Sequence, residues 1–523
     1  MPPLTSIFPH RLESEILKNY YERVRSTRIY EVVRETPIDS MALLSLRIGN
    51  EVLLKREDMQ TVFSFKLRGA FNKLCQLSEI QRRSGVVAAS AGNHAQGVAM
   101  AARSLGLEAT IVMPETTPQI KLDAVRFWGV NVVLHGDTFD EAFSFAKKLE
   151  LDRGLVFVHP FDDQEVIVGQ GTIGLEIIDQ IEDPLDAIFV PVGGGGLLAG
   201  IATYVARYWP KTKIYGVEPE DAASLKLAFE AGAPAKLDEV GLFVDGCAVS
   251  QVGAENFRLI KKVVDTVITV STDEICAAIK DIFEDTRVLA EPAGALALAG
   301  LKKFAYQKKI SDSRLLAILS GANTNFDRLR YISERTEIGE RREAVLSVSI
   351  PEEPGSFLRF CSTLEKRNIT EFNYRFNHSL IARVFVGLSI NPDNDDIGDL
   401  ISHLQVEGYE ALDLTDNEMA KLHVRYMVGG RATSGHFEER AYRVEFPERP
   451  GALLRFLKGL GDQWNISMFH YRNHGAAYGR ILLGVHVFET ERKQFETLLD
   501  EIGYPFSDET NNPAYRLYLG GGM

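Results

Sequence analysis

The chain has 523 residues, too many for one hydrophobic core, so two or three domains are expected. Hydrophobic residues make up 45% and charged residues 25%, and the net charge of −14 with no long Lys/Arg run argues against nucleic-acid binding. No apolar stretch reaches the roughly 18 residues of a membrane helix. The start Met1–Thr5 carries no signal-peptide pattern, and Cys75, Cys247, Cys276 and Cys361 form no C-x-x-C pair, so a reducing cytoplasm fits, with neither disulfides nor a metal site.

Residues 9–30 read as a helical lead-in. From residue 40 to 325, β-rich runs alternate with amphipathic ones, which argues for an α/β domain with open, largely parallel sheets. The segment Ser64–Ala70 places Lys66 after Phe65 and before Gly69, and a lysine in such a turn is a candidate amine for holding an aldehyde. Gly85–Ser90 predicts a strand whose end, Ser90-Ala91-Gly92-Asn93-His94-Ala95-Gln96-Gly97, opens a helix. Exposed N–H groups at a helix start suit a carboxylate, so Ser90, Ala91, Gly92 and His94 are candidate substrate contacts. His94, with no partner visible in sequence, reads as structural rather than as a proton carrier.

Strands are expected at Ala109–Met113 and Asn131–Leu134, a helix over Thr138–Glu150, and a helix opened by Gly169-Gln170-Gly171-Thr172 that runs on to Gln180. Ala187–Val192 predicts a strand, followed by Gly193-Gly194-Gly195-Gly196-Leu197 and a helix over Leu197–Arg207. Four glycines let the backbone approach a phosphate closely, and the N–H groups of the helix start point at it. The competing dinucleotide fingerprint requires G-x-G-x-x-G, which Gly193, Gly195 and Leu198 do not fit. Lys213–Val217 and Leu315–Leu319 are the last expected strands here, the second ending on Ser320-Gly321-Ala322-Asn323. Loops at such strand ends are where ligands bind in open α/β sheets.

Beyond Arg330 the chain contains an internal repeat. Ile350–Phe360 matches Phe446–Phe456, Asn368-Ile369 matches Asn465-Ile466, Tyr374-Arg375 matches Tyr471-Arg472, and Arg383–Gly387 matches Arg480–Gly484. The offset stays between 91 and 97 residues, which indicates duplication with small insertions. Each copy reads strand, Pro-Gly turn, helix, strand, strand, helix, strand, the α+β ferredoxin-like order, with Arg425–Gly430 and Arg516–Gly521 expected as closing strands.

Ser64–Ala70, Ser90–Gly97 and Gly193–Leu197 together resemble the cofactor site of the tryptophan-synthase-β-like (fold type II) pyridoxal 5'-phosphate (PLP) enzymes. The resemblance implies that Lys66 forms the Schiff base, that Phe65 covers one face of the ring, and that Asn93 binds the 3′-oxygen. It places Gly193, Gly194, Gly195, Gly196 and Leu197 on the phosphate and Ser320 against the pyridine nitrogen. A serine there, unlike an aspartate, makes a milder electron sink, which suits β-elimination. Val244–Val249 and Glu291–Ala295 match loops of the serine/threonine dehydratase branch, with Glu291 near the leaving hydroxyl or the cofactor edge. Ala91 stands where racemases of the branch carry a serine, and Ser224 where they carry a metal-binding acid; both argue against racemisation and a divalent site.

The Pro-Gly turns of the repeat resemble the ACT family of regulatory domains, and the whole chain is similar to the threonine deaminase (threonine ammonia-lyase) family. That resemblance implies a PLP-dependent catalytic domain over residues 1–330, a linker over 331–341, and ACT-like regulatory domains over 342–430 and 431–523. It implies conversion of L-threonine to 2-oxobutanoate and ammonia, the first committed step of isoleucine biosynthesis, inhibition by isoleucine countered by valine, and a homotetramer. Effector contacts are expected at Gly355, Ser356, Phe357, Gly451, Ala452 and Leu453. An L-serine dehydratase, or a PLP β-replacement enzyme with an amino-acid-sensing tail, is the alternative. The repeat and Glu291-Pro292 weigh against β-replacement. A catalytically dead sensor conflicts with the presence of Lys66, Asn93, the four glycines and Ser320.

Overall fold

The computed structural model describes residues 15–364, 367–375, 380–391, 395–427, 438–447, 452–472, 478–513 and 515–519. The chain divides into two units, Met1–Gly339 and Glu340–Met523.

The first unit holds strands β1 (Ile38–Ser40), β2 (Glu51–Arg56), β3 (Val86–Ala89), β4 (Ala109–Met113), β5 (Asn131–Leu134), β6 (Val156–Phe157), β7 (Ala187–Pro191), β8 (Lys213–Pro219), β9 (Thr266–Val270) and β10 (Arg314–Leu319). They form two sheets, ordered β1-β2-β10-β7-β8-β9 and β5-β4-β3-β6. Every pairing is parallel except that of the edge strand β1 with β2. β7 is buried along its whole length, as a parallel strand covered by helices must be. Its side chains alternate between two cores: Ile188 and Val190 join the cluster with Leu198 and Ile201, while Ala187 and Phe189 join that with Leu296 and Leu298. The lead-in helix spans Glu15–Arg25 among the described residues.

Two expectations change here. Gly169-Gln170-Gly171-Thr172 lies inside the helix Gln164–Gln180 rather than at its start. The opening is made by Asp163, whose carboxylate accepts from the Glu165 and Val166 amides. Gly169 instead serves packing, because a Cβ there would come 2.5 Å from the Arg68 carbonyl oxygen. The stretch 331–341, expected as a linker, lies largely within the helix Leu329–Gly339, which buries Ile332, Arg335 and Ile338 in the first unit.

Helix Lys66–Cys75 joins elements of both sheets. Leu67, Ala70, Phe71 and Leu74 pack with Val86 and Ile111 of the four-stranded sheet. Arg68, 0% exposed, points the other way and meets Glu57, just beyond β2, at 2.7 Å. The same guanidinium donates to both oxygens of Glu176, at 2.5 and 2.9 Å. The Lys55 amine reaches Glu176 at 2.7 Å, Tyr30 donates to it at 2.9 Å, and Thr36 donates to Glu57 at 2.6 Å. Two buried cations thus face two buried carboxylates. Burial pushes the Glu176 carboxyl up, but Arg68 and Lys55 outweigh it and hold the group below its ordinary range.

The second unit carries β11 (Glu343–Pro351), β12 (Ile369–Arg375), β13 (Ile381–Ser389), β14 (Glu410–Asp413), β15 (Glu439–Pro447), β16 (Asn465–Arg472), β17 (Tyr478–His486) and β18 (Phe506–Asp508). Each module follows the expected order, with helices Ser356–Thr363 and Ile397–Val406 in the first and Ala452–Leu460 and Arg492–Ile502 in the second. The modules share one eight-stranded antiparallel sheet, β14-β11-β13-β12-β16-β17-β15-β18, joined where β12 pairs with β16. The closing strands are β14 and β18, not the segments expected. Arg425–Met427 is helical, as is Tyr515–Leu519, while 428–430 and 520–521 lie outside the described residues. With the edges of the sheet already filled, these tails anchor through side chains: Arg425 bonds buried Glu371 at 2.5 Å, and Tyr515 donates to Glu439 at 2.5 Å.

Removing one partner from a buried ion network strands the other charge, at a cost of about 3–5 kcal/mol. Arg68→Ala is therefore expected to lower the unfolding free energy of the first unit, measured by urea denaturation, by about that amount, with Arg68→Lys falling between it and the parent. An Arg68→Ala protein as stable as the parent would contradict this.

Candidate active site

The residues expected to hold cofactor and substrate gather at the carboxyl ends of β3, β7 and β10. Lys66 opens the helix Lys66–Cys75, whose preceding turn is tied to the Ser320 turn by two backbone hydrogen bonds that pair Ser64 with Gly321. Phe65 N–H donates to the Ser320 carbonyl at 3.1 Å and Ala322 N–H to the Phe63 carbonyl at 2.9 Å. Phe63 takes φ +55°, a left-handed conformation rare for an aromatic residue and held there by this pairing. Gly97 lets the helix Asn93–Leu105 close on the same point, since a Cβ there would lie 3.0 Å from the Lys66 carbonyl carbon.

The half-buried Lys66 amine donates to the Pro160 carbonyl at 2.8 Å and lies 5.2 Å from the Phe65 ring centroid. Desolvation lowers its pKa to about 8, against the opposing pull of Cys247 and Glu291. About a tenth of the amine is then neutral, and so nucleophilic, one unit below that value at pH 7, far more than for an ordinary lysine. Glu291 is buried and accepts from Asn93 Nδ2 at 2.6 Å. Burial, reinforced by Asp245, pushes its carboxyl up to about 7. Asn323 Nδ2 donates to Asn93 Oδ1 at 2.7 Å and to the Val62 carbonyl at 2.8 Å, so the Asn93 amide is held from both ends.

Ser90 Oγ accepts from Gly92 N–H at 3.2 Å and shapes the turn before Asn93. Ala91 packs against the Leu67–Val98 cluster. His94 is buried and donates through Nε2 to the Val158 carbonyl at 2.9 Å, the partner that sequence could not supply. Burial drops its pKa to about 3, so it stays neutral. Ser320 Oγ donates to the Ala293 carbonyl at 3.2 Å. Burial pushes the Cys247 thiol up to about 12, which makes it a wall rather than a nucleophile.

The glycine run closes the cleft beyond β7. Gly195 has φ +90° and caps the helix Gly196–Tyr208 without a side-chain hydrogen bond, so the first-turn amides have no side-chain cap. A Cβ on Gly196 would come 2.7 Å from the Phe161 carbonyl oxygen. A lysine of lowered pKa, uncapped helix-start amides, a buried hydroxyl and a fixed amide form the donor set that an aldehyde-bearing phosphate ester needs.

In the second unit, a cavity is lined by Glu352, Gly355 and Phe357 of the first module and Leu457, Trp464 and Asn465 of the second. Ser356 Oγ instead accepts from Arg359 at 2.9 Å, and Leu453 lies in the core of the unit. Gly451 and the Ala452 side chain lie outside the described residues. Sequence reasoning gave no role to Pro160, Asn256 or Asn323. Only Asn323 left a signal, its place in the turn after β10.

Residues 29–321 match the family model described as pyridoxal-phosphate dependent enzyme, and residues 334–424 and 430–519 match that of the C-terminal regulatory domain of threonine dehydratase. The chain is 53% identical over 502 residues to the biosynthetic L-threonine dehydratase of Escherichia coli, covering 96% of this chain and 97% of that one. It is 51% identical over 504 residues to the biosynthetic L-threonine dehydratase of Burkholderia multivorans, covering 96% and 99%. The structure of a processed threonine deaminase isoform 2 from Solanum lycopersicum superposes with a TM-score of 0.61 at 47% identity, covering 62% of this chain and 94% of that one. The chain belongs to the biosynthetic threonine dehydratase family of pyridoxal-phosphate dependent enzymes.

Proposed function

We propose that the protein eliminates water from L-threonine and releases 2-oxobutanoate and ammonia, with Lys66 as both the attachment point of PLP and the base at the substrate α-carbon. The observation that carries this reading is the half-buried Lys66 amine, lowered to about 8, beside the Asn93–Glu291–Asn323 cluster and the uncapped glycine turn. When bound, the cofactor supplies an electron sink for the charge that develops at that carbon.

Lys66 Nζ is the base that takes the α-proton, a step worth roughly 10²–10⁴ in rate for a positioned base. Amides from Ser90 to His94 orient the substrate carboxylate at the start of the helix Asn93–Leu105. Asn93 would hold the 3′-oxygen, its amide fixed in direction because both ends are engaged by Glu291 and Asn323. Gly193, Gly194, Gly195, Gly196 and Leu197 would hold the phosphate, Phe65 would cover the ring, and Ser320 would serve the pyridine nitrogen. Glu291 keeps Asn93 in register. Ala91 offers no hydroxyl for returning a proton to the opposite face, so elimination is the outcome rather than racemisation.

The catalytic part ends at Gly339 in this reading, and the two modules that follow sense amino acids. Their effector site is the cavity beside the Gly355 turn, where Phe357, Leu457 and Trp464 form apolar walls and Glu352 and Asn465 supply polar groups. Isoleucine is its inhibitory ligand and valine the antagonist, in a homotetramer that works in the cytoplasm as the first committed step towards isoleucine.

Incubation with L-threonine is expected to yield equal amounts of 2-oxobutanoate and ammonia, faster than L-serine yields pyruvate, and Lys66→Ala is expected to lower kcat by at least about 10². A variant that keeps parental turnover would overturn the assignment. The amine must be neutral to attack an aldehyde, so the rate at which PLP loads onto the apo-protein is expected to rise with pH and level off above about 8. A rate that is flat between pH 6 and pH 9, a range that runs from about two units below that value to about one above it, would contradict the lowered pKa. Calorimetric titration is expected to show isoleucine binding weakened by a substrate analogue by the same factor as the analogue is weakened by isoleucine. Absence of isoleucine binding at millimolar concentration would remove the effector assignment.

A further inference from the structure

The four-glycine turn is held by a side chain that none of the motifs contains. Asn256 lies in the first turn of the helix Ala254–Val263 and is 0% exposed. Its Nδ2 donates to the Gly194 carbonyl at 2.7 Å and to the Phe161 carbonyl at 3.1 Å. Gly253 N–H adds a second bond to the Gly194 carbonyl at 3.0 Å. In a trans peptide, C=O and N–H point in opposite directions. A Gly194 carbonyl drawn towards Asn256 and Gly253 therefore turns the Gly195 N–H away from them. That amide belongs to the cap residue, at φ +90°, of the helix Gly196–Tyr208.

Asn256 is itself placed by the loop after β6. The Asp162 carboxylate accepts from the amides of Ala254 at 3.0 Å, Glu255 at 3.1 Å and Asn256 at 3.3 Å. The fit is close: a Cβ on Gly253 would lie 2.5 Å from Asp162 Oδ1 and 2.7 Å from Asn256 Nδ2. Asn256 Oδ1 has no hydrogen-bond partner among the described residues. An unmet buried acceptor costs about 1–3 kcal/mol, so a polar residue here is retained for its donor alone.

We propose that Asn256 is the positioning residue of the phosphate cradle: it fixes the Gly194–Gly195 peptide so that the Gly195 N–H joins the helix-start amides in holding the cofactor phosphate. The inference rests on the phosphate reading of the glycine turn given above.

The test compares PLP with pyridoxal, which carries the same aldehyde and lacks the phosphate. Full-length protein freed of cofactor is titrated with each, and the visible absorbance of the lysine adduct gives two dissociation constants. The parent is expected to prefer PLP strongly. Asn256→Leu keeps the branched shape and removes the donor, and Asn256→Ala serves as the smaller second variant. In both, the preference for PLP over pyridoxal is expected to shrink about tenfold, with pyridoxal affinity unchanged. Because the ratio is taken within each protein, a general loosening of the fold lowers both affinities and leaves it unmoved. A parental ratio in the variants, or equal loss of both affinities, would overturn the role of Asn256. A parent that binds pyridoxal as tightly as PLP would overturn the phosphate reading itself.

Discussion

Arg68 cannot leave its place without stranding the buried Glu57 carboxylate and taking from Glu176 one of its two cations, and this one constraint fixes the helix that carries Lys66. The guanidinium sits between Glu57 and Glu176, with Lys55 balancing the second charge. Glu57 follows the six-stranded sheet, while the apolar face of the Lys66 helix belongs to the core of the four-stranded one. Such networks add little net stability compared with well-packed hydrophobic residues, but breaking one is expensive. Its effect is geometric: the lysine two residues before Arg68 is held at the meeting point of the two sheets.

Around that lysine the cleft is kept free of competing charge. His94 and His159 are both held neutral by burial, at about 3 and about 4, and His159 Nδ1 accepts from the Asp162 amide at 2.8 Å. Glu291, raised to about 7, holds its proton through much of the acid range. The Lys66 amine therefore has a carbonyl as its hydrogen-bond acceptor rather than a carboxylate, and a tight ion pair does not lock it as an ammonium. The same burial that lowers the lysine raises the glutamate, so one dielectric environment sets both groups near neutrality.

Much of this was legible in the sequence because the relevant residues answer to local demands. A left-handed cap at Gly195, a turn opening on Asn93 and a lysine at a helix start each need particular residues at fixed positions along the chain. The duplicated modules were legible for the same reason, since their Pro-Gly turns recur at near-constant spacing. What the sequence did not carry is set by contacts between distant segments. Asn323 meets Asn93 across 230 residues and Asn256 meets Gly194 across 62, and no pattern in either segment announces the other. The glycines at 169 and 171 look like a turn but serve close packing of helices. Arg425–Gly430 and Arg516–Gly521 carry strand-like composition, yet β14 and β18 already complete the sheet, and the described parts of those tails coil instead.

The central claim is that Lys66 is the residue to which the cofactor is attached, and the most direct measurement is borohydride reduction of the holoprotein followed by peptide mass spectrometry. The account predicts a pyridoxyl-phosphate mass increment on the peptide containing Lys66 and on no other lysine. An increment on a different lysine, or none on Lys66 in protein that turns over threonine, would contradict it.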